Sequence, residues 1–521
     1  MTTVWVLGDQ LTLENAALAA CDPKDTVVLL VESRSRGSFL RYHQHKLILI
    51  YAAMRHFRQA LEAAGWKVDY HTLEDTESYG DALRKHLRAF RPDRVRVMEA
   101  GDWKMTQALP RLARQVGFRL EWVEGNLFLV GREEFRKWAG NAPRLLMENH
   151  YRRMRKKLGI LLEPDGTPTG GEWNLDAENR KTVAEWTKAG RPRPKDRVRV
   201  EPDEITRGVM ETVARLFPQH PGNAADFWLP VCRPEALRWL ERFVNERLDG
   251  FGPYEDLMLT GEPTLFHSVL TPMLNLGLLR PMECVQAALD AFGKGTLSLA
   301  SAEGFIRQII GWREFINGVY WLKGPGYVDM NGLGANRPVP AWFYTGETDL
   351  NCLRQVLGEV RATGYNHHIQ RLMVLGNFML LTGIKPVEAL RWFTEMYVDA
   401  HDWVMAPNVV GMALHADNGY MATKPYAAAG AYISKMSDYC AGCRYRPTVK
   451  SGPEACPFNV LYWDFFARHE DRFRANPRVS VMVQSWRKKE PAEQERIRQE
   501  AAAFIAAHVP PAVVAPVPSE D

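Results

Sequence analysis

Three cysteines fall within seventeen positions in SDYCAGCRYRPTVKSGPEACPFN, residues 437–459, although the 521-residue chain has only seven. Cys440 and Cys443 form a C-x2-C pair with Cys456 downstream, a spacing that aims thiolates at one zinc ion or one iron–sulfur cluster. Packed thiols explain an isolated cysteine but not this grouping. Either centre needs a fourth ligand, and no histidine lies in the stretch. Cys21 is remote, and Cys232 and Cys284 sit in the apolar contexts FWLPVC and MECVQAAL. Cys352, in TGETDLNCLRQ at a polar helix start, is the favoured fourth ligand.

A second set of reactive groups interrupts strongly apolar helical stretches. In FIRQIIGWREFINGVYW these are Arg307, Gln308, Arg313 and Glu314, and in YNHHIQRLMVLGNFMLL they are Asn366, His367, His368, Gln370 and Arg371. Buried charge must be paired or serve a ligand. Adjacent histidines on a helix point about 100° apart, so one can face a pocket while the other supports it. A third stretch, GPYEDLMLTGEPTLFHSVLTPMLNLGLL, brings His267, Ser268 and Thr271 to an expected helix start, where free backbone N–H groups attract phosphate.

The elements that must position these groups change character along the chain. From 1 to 135, the β-branched runs VWVLG, TVVLLVE, KVDYHTL, VRVMEAG and LEWVEG alternate with amphipathic segments, which predicts a parallel sheet flanked by helices. GDQL replaces a glycine fingerprint after the first strand, so a standard dinucleotide site is not expected there. Ligands still prefer the C-terminal ends of such strands, which makes Asp9, Gln10 and Glu32 pocket candidates. Residues 136–205, with PDGTPTGGEW and the basic runs RRMRKKLG and KAGRPRPKDRVRV, read as a long interdomain connection. Residues 206–506 read as helical, and 507–521 as a disordered tail.

Composition is that of an ordinary globular protein, with 46% hydrophobic and 25% charged residues and a net charge of +4, which neither requires nor opposes a nucleic-acid partner. There are 16 Trp, 17 Tyr and 22 Phe, a generous stock of rings for a binding site or a redox chain. No export signal and no apolar run of membrane-spanning length is evident, so a cytoplasmic location with reduced thiols is expected.

LGDQL, the S-x-L-T-P turn, WREF and the HHIQR helix together resemble the photolyase and cryptochrome family. GPYED, LFHS, GGEWNLDAENRK, KPY and the cysteine arrangement resemble its iron–sulfur bacterial branch, the prokaryotic (6-4) photolyases. The resemblance implies a Rossmann-like antenna domain, a long linker and a helical domain binding FAD, an α/β plus all-α architecture. It implies a 4Fe–4S cluster on Cys352, Cys440, Cys443 and Cys456, and 6,7-dimethyl-8-ribityllumazine as the antenna, for which Asp9, Gln10 and Glu32 are the candidates. It also implies action on UV-damaged DNA by a monomer, without membrane attachment.

Carried residue by residue, His267, Ser268, Leu270 and Thr271 match the turn that holds the FAD pyrophosphate, and Tyr254 lies close to a flavin-domain tyrosine. Gln308, Arg313, Asn408 and the pair Arg371 and Asp399 complete the implied flavin site. His368 matches the general acid that protonates the lesion after electron transfer, with His367 supporting it and Tyr426 lining the same pocket. Cyclobutane-dimer photolyases carry asparagine at the His368 position, which favours a (6-4) substrate. A cyclobutane-dimer photolyase, or a cryptochrome that signals without repair, is the alternative. Trp392 matches the flavin-proximal electron donor. Phe393 stands where the branch often has tyrosine and Tyr344 where it often has tryptophan, leaving Trp342 or Trp403 as substitutes in the outer route.

Overall fold

The computed structural model describes residues 1–194 and 199–511. The five β-branched runs form β1 (Thr2–Trp5), β2 (Thr26–Val31), β3 (Lys67–His71), β4 (Arg94–Met98) and β5 (Leu120–Val123), all parallel, in the order β3-β2-β1-β4-β5. All six residues of β2 are buried, as expected of an inner strand covered on both faces by helices. Val4 of β1 pairs with Val28 of β2 on one side and Arg96 of β4 on the other. Strand order therefore reverses between β1 and β4, opening a crevice beyond their C-terminal ends where Asp9 and Asp102 lie.

Among the described residues every strand precedes residue 124, and helices follow. The segment 136–205 is more ordered than a bare connection. Its basic run lies on the helix Met147–Leu158, which buries His150, Tyr151, Met154 and Arg155. The Arg155 guanidinium donates to the carbonyls of Ile160 and Trp173 at 3.2 and 3.1 Å, so this cation closes a loop from within. Residues 195–198 lie outside the described residues, as do 512–521 of the expected tail. Within that tail His508 still belongs to the last helix, Pro491–His508, and Val509 is buried.

Three seven-residue π-helical stretches run through the helical layer: Arg307–Arg313, Gln370–Gly376 and Pro407–Ala413. Each is continuous with an α-helix. A π-turn adds a residue to the helical circuit and re-aims side chains, and such turns concentrate at functional sites. Gln308, Arg313, Arg371 and Asn408 all lie on these stretches.

The sheet layer docks on the helical layer through backbone groups. Leu11 N donates to the Leu276 carbonyl at 2.7 Å, and the buried Glu314 carboxylate accepts from Leu129 N and Val130 N at 2.9 and 3.0 Å. Lys46 Nζ donates to the carbonyls of Thr394 and Ala400 at 3.1 and 2.6 Å. No helix among the described residues is long and apolar enough to cross a membrane.

Candidate active site

The turn before the helix Thr271–Leu276 is strained. Leu265 and Val269 adopt φ of 39° and 53°, the left-handed region that bulky side chains resist, so the surrounding fold must hold them there. His267 and Ser268 lie between them. His267 Nε2 donates to the Glu255 carbonyl at 3.0 Å, while the Ser268 hydroxyl accepts from Leu270 N at 3.3 Å. Tyr254 is buried with its ring stacked on Phe266 at 5.6 Å.

The HHIQR helix meets this turn directly. The rings of His267 and His367 stack at 4.3 Å and 11°. Burial pushes the His267 pKa down to about 3 and that of His367 well below its usual value, so both rings are neutral. Neither ring nitrogen of His367 has a partner among the described residues. Its neighbour His368 turns out of the packed layer and is exposed. Although solvent reaches its ring, His368 sits deep among protein atoms. That burial, with Arg371 second, lowers its pKa to about 4.

Arg371 grips Asp399 with both prongs, Nη1 to Oδ1 at 2.9 Å and Nη2 to Oδ2 at 3.0 Å. Its Nε donates to the Asn366 carbonyl at 2.7 Å. The Asp399 carbonyl in turn accepts from Asn275 Nδ2 at 2.9 Å, and Asn275 Oδ1 accepts from Arg313 Nη1 at 2.7 Å. The guanidinium of Arg313 lies over Phe128 and Trp403, which makes it a joint between the layers. Gln308 Nε2 and Asn408 Nδ2 donate back to Gly304 and Val404 carbonyls on their own helices.

On the other side of His267 the cleft holds a cluster that includes acids not picked out by the sequence reading. Burial raises Glu255 to about 8 and Asp256 to about 6. Tyr432 shares a hydrogen bond with Asp256, and Arg180 lies near enough to Asp256, Tyr426 and Tyr432 to act on all three. Tyr426 is part-buried, and Lys424 beside it feels both Arg478 and Arg180. GPYED carried a signal for these acids in two adjacent carboxylates entering an apolar run.

Trp392 is fully buried on the helix Pro386–Met396, and its indole nitrogen has no partner among the described residues. Three rings meet it edge-on: Phe343, the neighbour of Tyr344, at 5.3 Å, Phe393 at 5.1 Å and Tyr397 at 6.0 Å. Trp342 packs on Phe343 at 4.6 Å, and Trp403 lies instead against Phe128 at 4.9 Å.

All four expected cysteines line one small apolar pocket with Leu350, Ile433, Tyr439 and Tyr445. Cys352 is the second residue of the helix Asn351–Thr363, Cys440 sits in the turn Tyr439–Gly442, and Cys456 immediately precedes the helix Pro457–Arg468. None is in a disulfide. Burial and the three neighbouring sulfurs raise the Cys352 thiol, so thiolates there need a compensating cation. Gly430 closes the cavity, because a Cβ on it would come 2.7 Å from Cys456 Sγ.

At the sheet crevice, Asp9 faces Asp102, and burial with Asp102 as neighbour raises its pKa to about 6. Gln10 is anchored through Nε2 to the carbonyls of Met98 and Glu99, leaving its buried Oε1 without a partner. Glu32 is the exception among the three expected antenna residues. Its fully buried carboxylate is already taken by both Arg55 donors at 2.8 and 3.0 Å, Tyr70 Oη at 2.6 Å and Leu73 N at 2.9 Å. It ties β2 to β3 and has no capacity left for a ligand.

Residues 4–229 match the family model for deoxyribodipyrimidine photo-lyase-related proteins. The chain is 42% identical over 508 residues to a (6-4) photolyase of Agrobacterium fabrum, covering 96% of this chain and 98% of that protein. Its fold is similar to the crystal structure of a bacterial class III photolyase from Agrobacterium tumefaciens, with a TM-score of 0.55, 17% identity and 97% of each chain covered. A cryptochrome from Synechocystis gives the same TM-score at 13% identity, over 96% of this chain and 98% of that one.

Proposed function

We propose, from the premise that this chain belongs to the photolyase and cryptochrome family, that it repairs (6-4) photoproducts in UV-damaged DNA under blue light. The observation that carries this reading is the placement of His368, exposed, next to the stacked neutral pair His267 and His367 and one helical turn from the Arg371–Asp399 pair.

FAD fits the helical cleft on the chemistry of its lining. Orphaned buried nitrogens on His367, Trp392 and Arg313 await partners, and the strained 265–269 turn offers backbone N–H groups to a pyrophosphate. His267, Ser268, Leu270 and Thr271 would hold that end, with Tyr254, Gln308, Arg313, Asn408 and the Arg371–Asp399 pair around the remainder. Bound and reduced, the flavin supplies the light-driven electron that opens the lesion. The chain's own residues do the rest. A lesion must leave the base stack to reach such a cleft, and Tyr426, Lys424, Arg180 and Arg478 form a wall with phenolic and cationic groups for a flipped dinucleotide and its phosphates.

His368 is the proton donor in this reading. Without DNA its ring is neutral near pH 7, and the phosphates brought in by DNA favour its charged form. His367 and His267, kept neutral by burial, add no competing positive charge. Trp392 is the inner electron donor and Tyr344 the outer one.

A 4Fe–4S cluster suits the cysteine pocket, because four thiols line one apolar space and such a cluster takes four thiolates. Cys352, Cys440, Cys443 and Cys456 would hold the cluster in a structural role. The lumazine antenna is assigned to the crevice of Asp9 and Gln10 without Glu32, and the working form to a cytoplasmic monomer.

The test is illumination of purified, reduced protein with an oligonucleotide carrying a (6-4) lesion, followed by chromatography. Restored pyrimidines are expected. Unchanged lesion in flavin-loaded protein overturns the assignment.

A further inference from the structure

The outer electron donor has a built-in base. Tyr344 Oη donates to Glu395 Oε2 at 2.8 Å, and the other carboxylate oxygen accepts from Arg391 Nε at 3.1 Å. The Glu395 side chain is 0% exposed, whereas Tyr344 is only part-buried, with the Arg41 guanidinium 5.1 Å from its ring centre. Glu395 lies three residues beyond Trp392 on the same helix, and Phe343, the chain neighbour of Tyr344, touches Trp392 edge-on. The ring that can lose an electron and the base that can take its proton therefore sit on two routes leading straight back to Trp392.

Building on the flavin reading above, we propose that Tyr344 and Glu395 form a proton-coupled electron donor. Trp392 gives one electron to the photoexcited flavin and takes one from Tyr344 as the phenol proton crosses to the Glu395 carboxylate. The products are neutral Trp392, a neutral Tyr344 oxyl radical and a protonated Glu395. A thiol reductant from solution then returns one electron to Tyr344, and Glu395 returns the proton.

A tyrosine that loses an electron becomes a very strong acid, so its oxidation is easy only where a base accepts the proton in the same event. Tyr397 is also near Trp392, at 6.0 Å, but its hydroxyl donates to the Asn366 amide oxygen at 2.7 Å, which is a poor base. The Arg371 guanidinium lies 4.1 Å from the Tyr397 ring centre and opposes positive charge there. Trp342 donates its indole N–H to the His508 carbonyl at 2.8 Å, so a hole there would not be trapped by proton transfer to a side-chain base. Phe393 is not readily oxidised. Proton transfer to Glu395 also traps the hole, because the electron cannot return until the proton does. Arg41, Arg391, Tyr42 and His220 are the other charged or titratable groups around the pair.

The experiment compares flavin-loaded wild type with Glu395→Gln, Glu395→Asp and Tyr344→Phe, matched for flavin content and thermal midpoint, by transient absorption and electron paramagnetic resonance. In wild type a tyrosyl signal should rise as the Trp392 radical decays, and should rise more slowly in D2O. Glu395→Gln should slow that rise on the order of a hundredfold, the loss associated with removing a positioned base, and abolish the isotope effect. Glu395→Asp, which keeps a carboxylate, should recover part of the rate, and Tyr344→Phe should show no tyrosyl signal. Ultraviolet Raman of flavin-free protein should show the strong phenol–carboxylate hydrogen bond in wild type and its loss in Glu395→Gln. An unchanged rise in Glu395→Gln, or a tyrosyl signal surviving in Tyr344→Phe, overturns the proposal. Protein that binds no flavin contradicts the underlying reading instead. Should Glu395→Gln not fold, Glu395→Asp and Tyr344→Phe decide the matter.

Discussion

Arg371 and Asp399 form a two-pronged ion pair, at 2.9 and 3.0 Å, with side-chain exposures of only 14% and 5%. Little water reaches either charge, and the pair ties the HHIQR helix to the segment carrying Asp399. Removing one partner leaves the other charge buried and unpaired, which costs about 3–5 kcal/mol. Asp399→Asn should therefore lower the unfolding free energy of the flavin-free protein, read by urea titration, by about 3–5 kcal/mol, and reduce flavin content. An unchanged midpoint in the urea titration would show that the pair has no such role.

The cysteine cavity should tolerate no extra atom. Gly430→Ala places a methyl 2.7 Å from Cys456 Sγ, and Cys456→Ser removes a soft ligand. Both variants should purify with less iron per chain and less of the brown absorbance of a cluster. The loss should also reach the histidines. Tyr439, which lines the cavity, accepts a hydrogen bond from Gln370 Nε2 at 2.9 Å, and Gln370 Oε1 accepts from His367 N at 3.1 Å. Iron analysis combined with proton exchange at the His367 amide checks this. Full iron in Gly430→Ala would contradict the account.

Much of this arrangement was legible in the sequence, for identifiable reasons. Parallel strands buried on both faces announce themselves as β-branched runs, and a C-x2-C pair with a third cysteine limits the chemistry to a few centres. Cys352 was recoverable because its polar setting differed from those of Cys232 and Cys284. Glu32 misled because strand-end position does not reveal partners: Arg55 comes from a helix, and Tyr70 and Leu73 N from the end of β3 and the turn after it. The π-turns were invisible because they keep the apolar pattern of an α-helix while re-aiming Gln308, Arg371 and Asn408. Glu255 and Asp256 were overlooked because only the folded cleft shows that they are buried together.

Stability should fall in acid through the buried imidazoles. His43 is fully buried, with Nε2 against the Arg361 carbonyl and Nδ1 accepting from His45 N, and burial lowers its pKa to about 3. The unfolded chain binds a proton near the ordinary value of about 6.5, whereas the folded chain does not until about pH 3, so protonation favours unfolding within that window. The contribution is present above pH 6.5, shrinks as pH falls towards 3, and is gone below it. His43→Gln should flatten the stability profile between these limits by a few kcal/mol, read by denaturant titration at successive pH values. Parallel wild-type and variant profiles would rule out His43 as a source of the acid sensitivity.

The central claim is that an exposed imidazole protonates the lesion before the transferred electron can return. The direct measurement is repair by reduced, flavin-loaded wild type and His368→Ala under blue light, on (6-4) and cyclobutane-dimer oligonucleotides in parallel, with products followed by chromatography. The account predicts that wild type restores the (6-4) lesion and not the dimer, and that His368→Ala, with its flavin retained, loses repair by a factor on the order of a hundred or more. Undiminished (6-4) repair by His368→Ala, or restoration of the dimer alone, would contradict it.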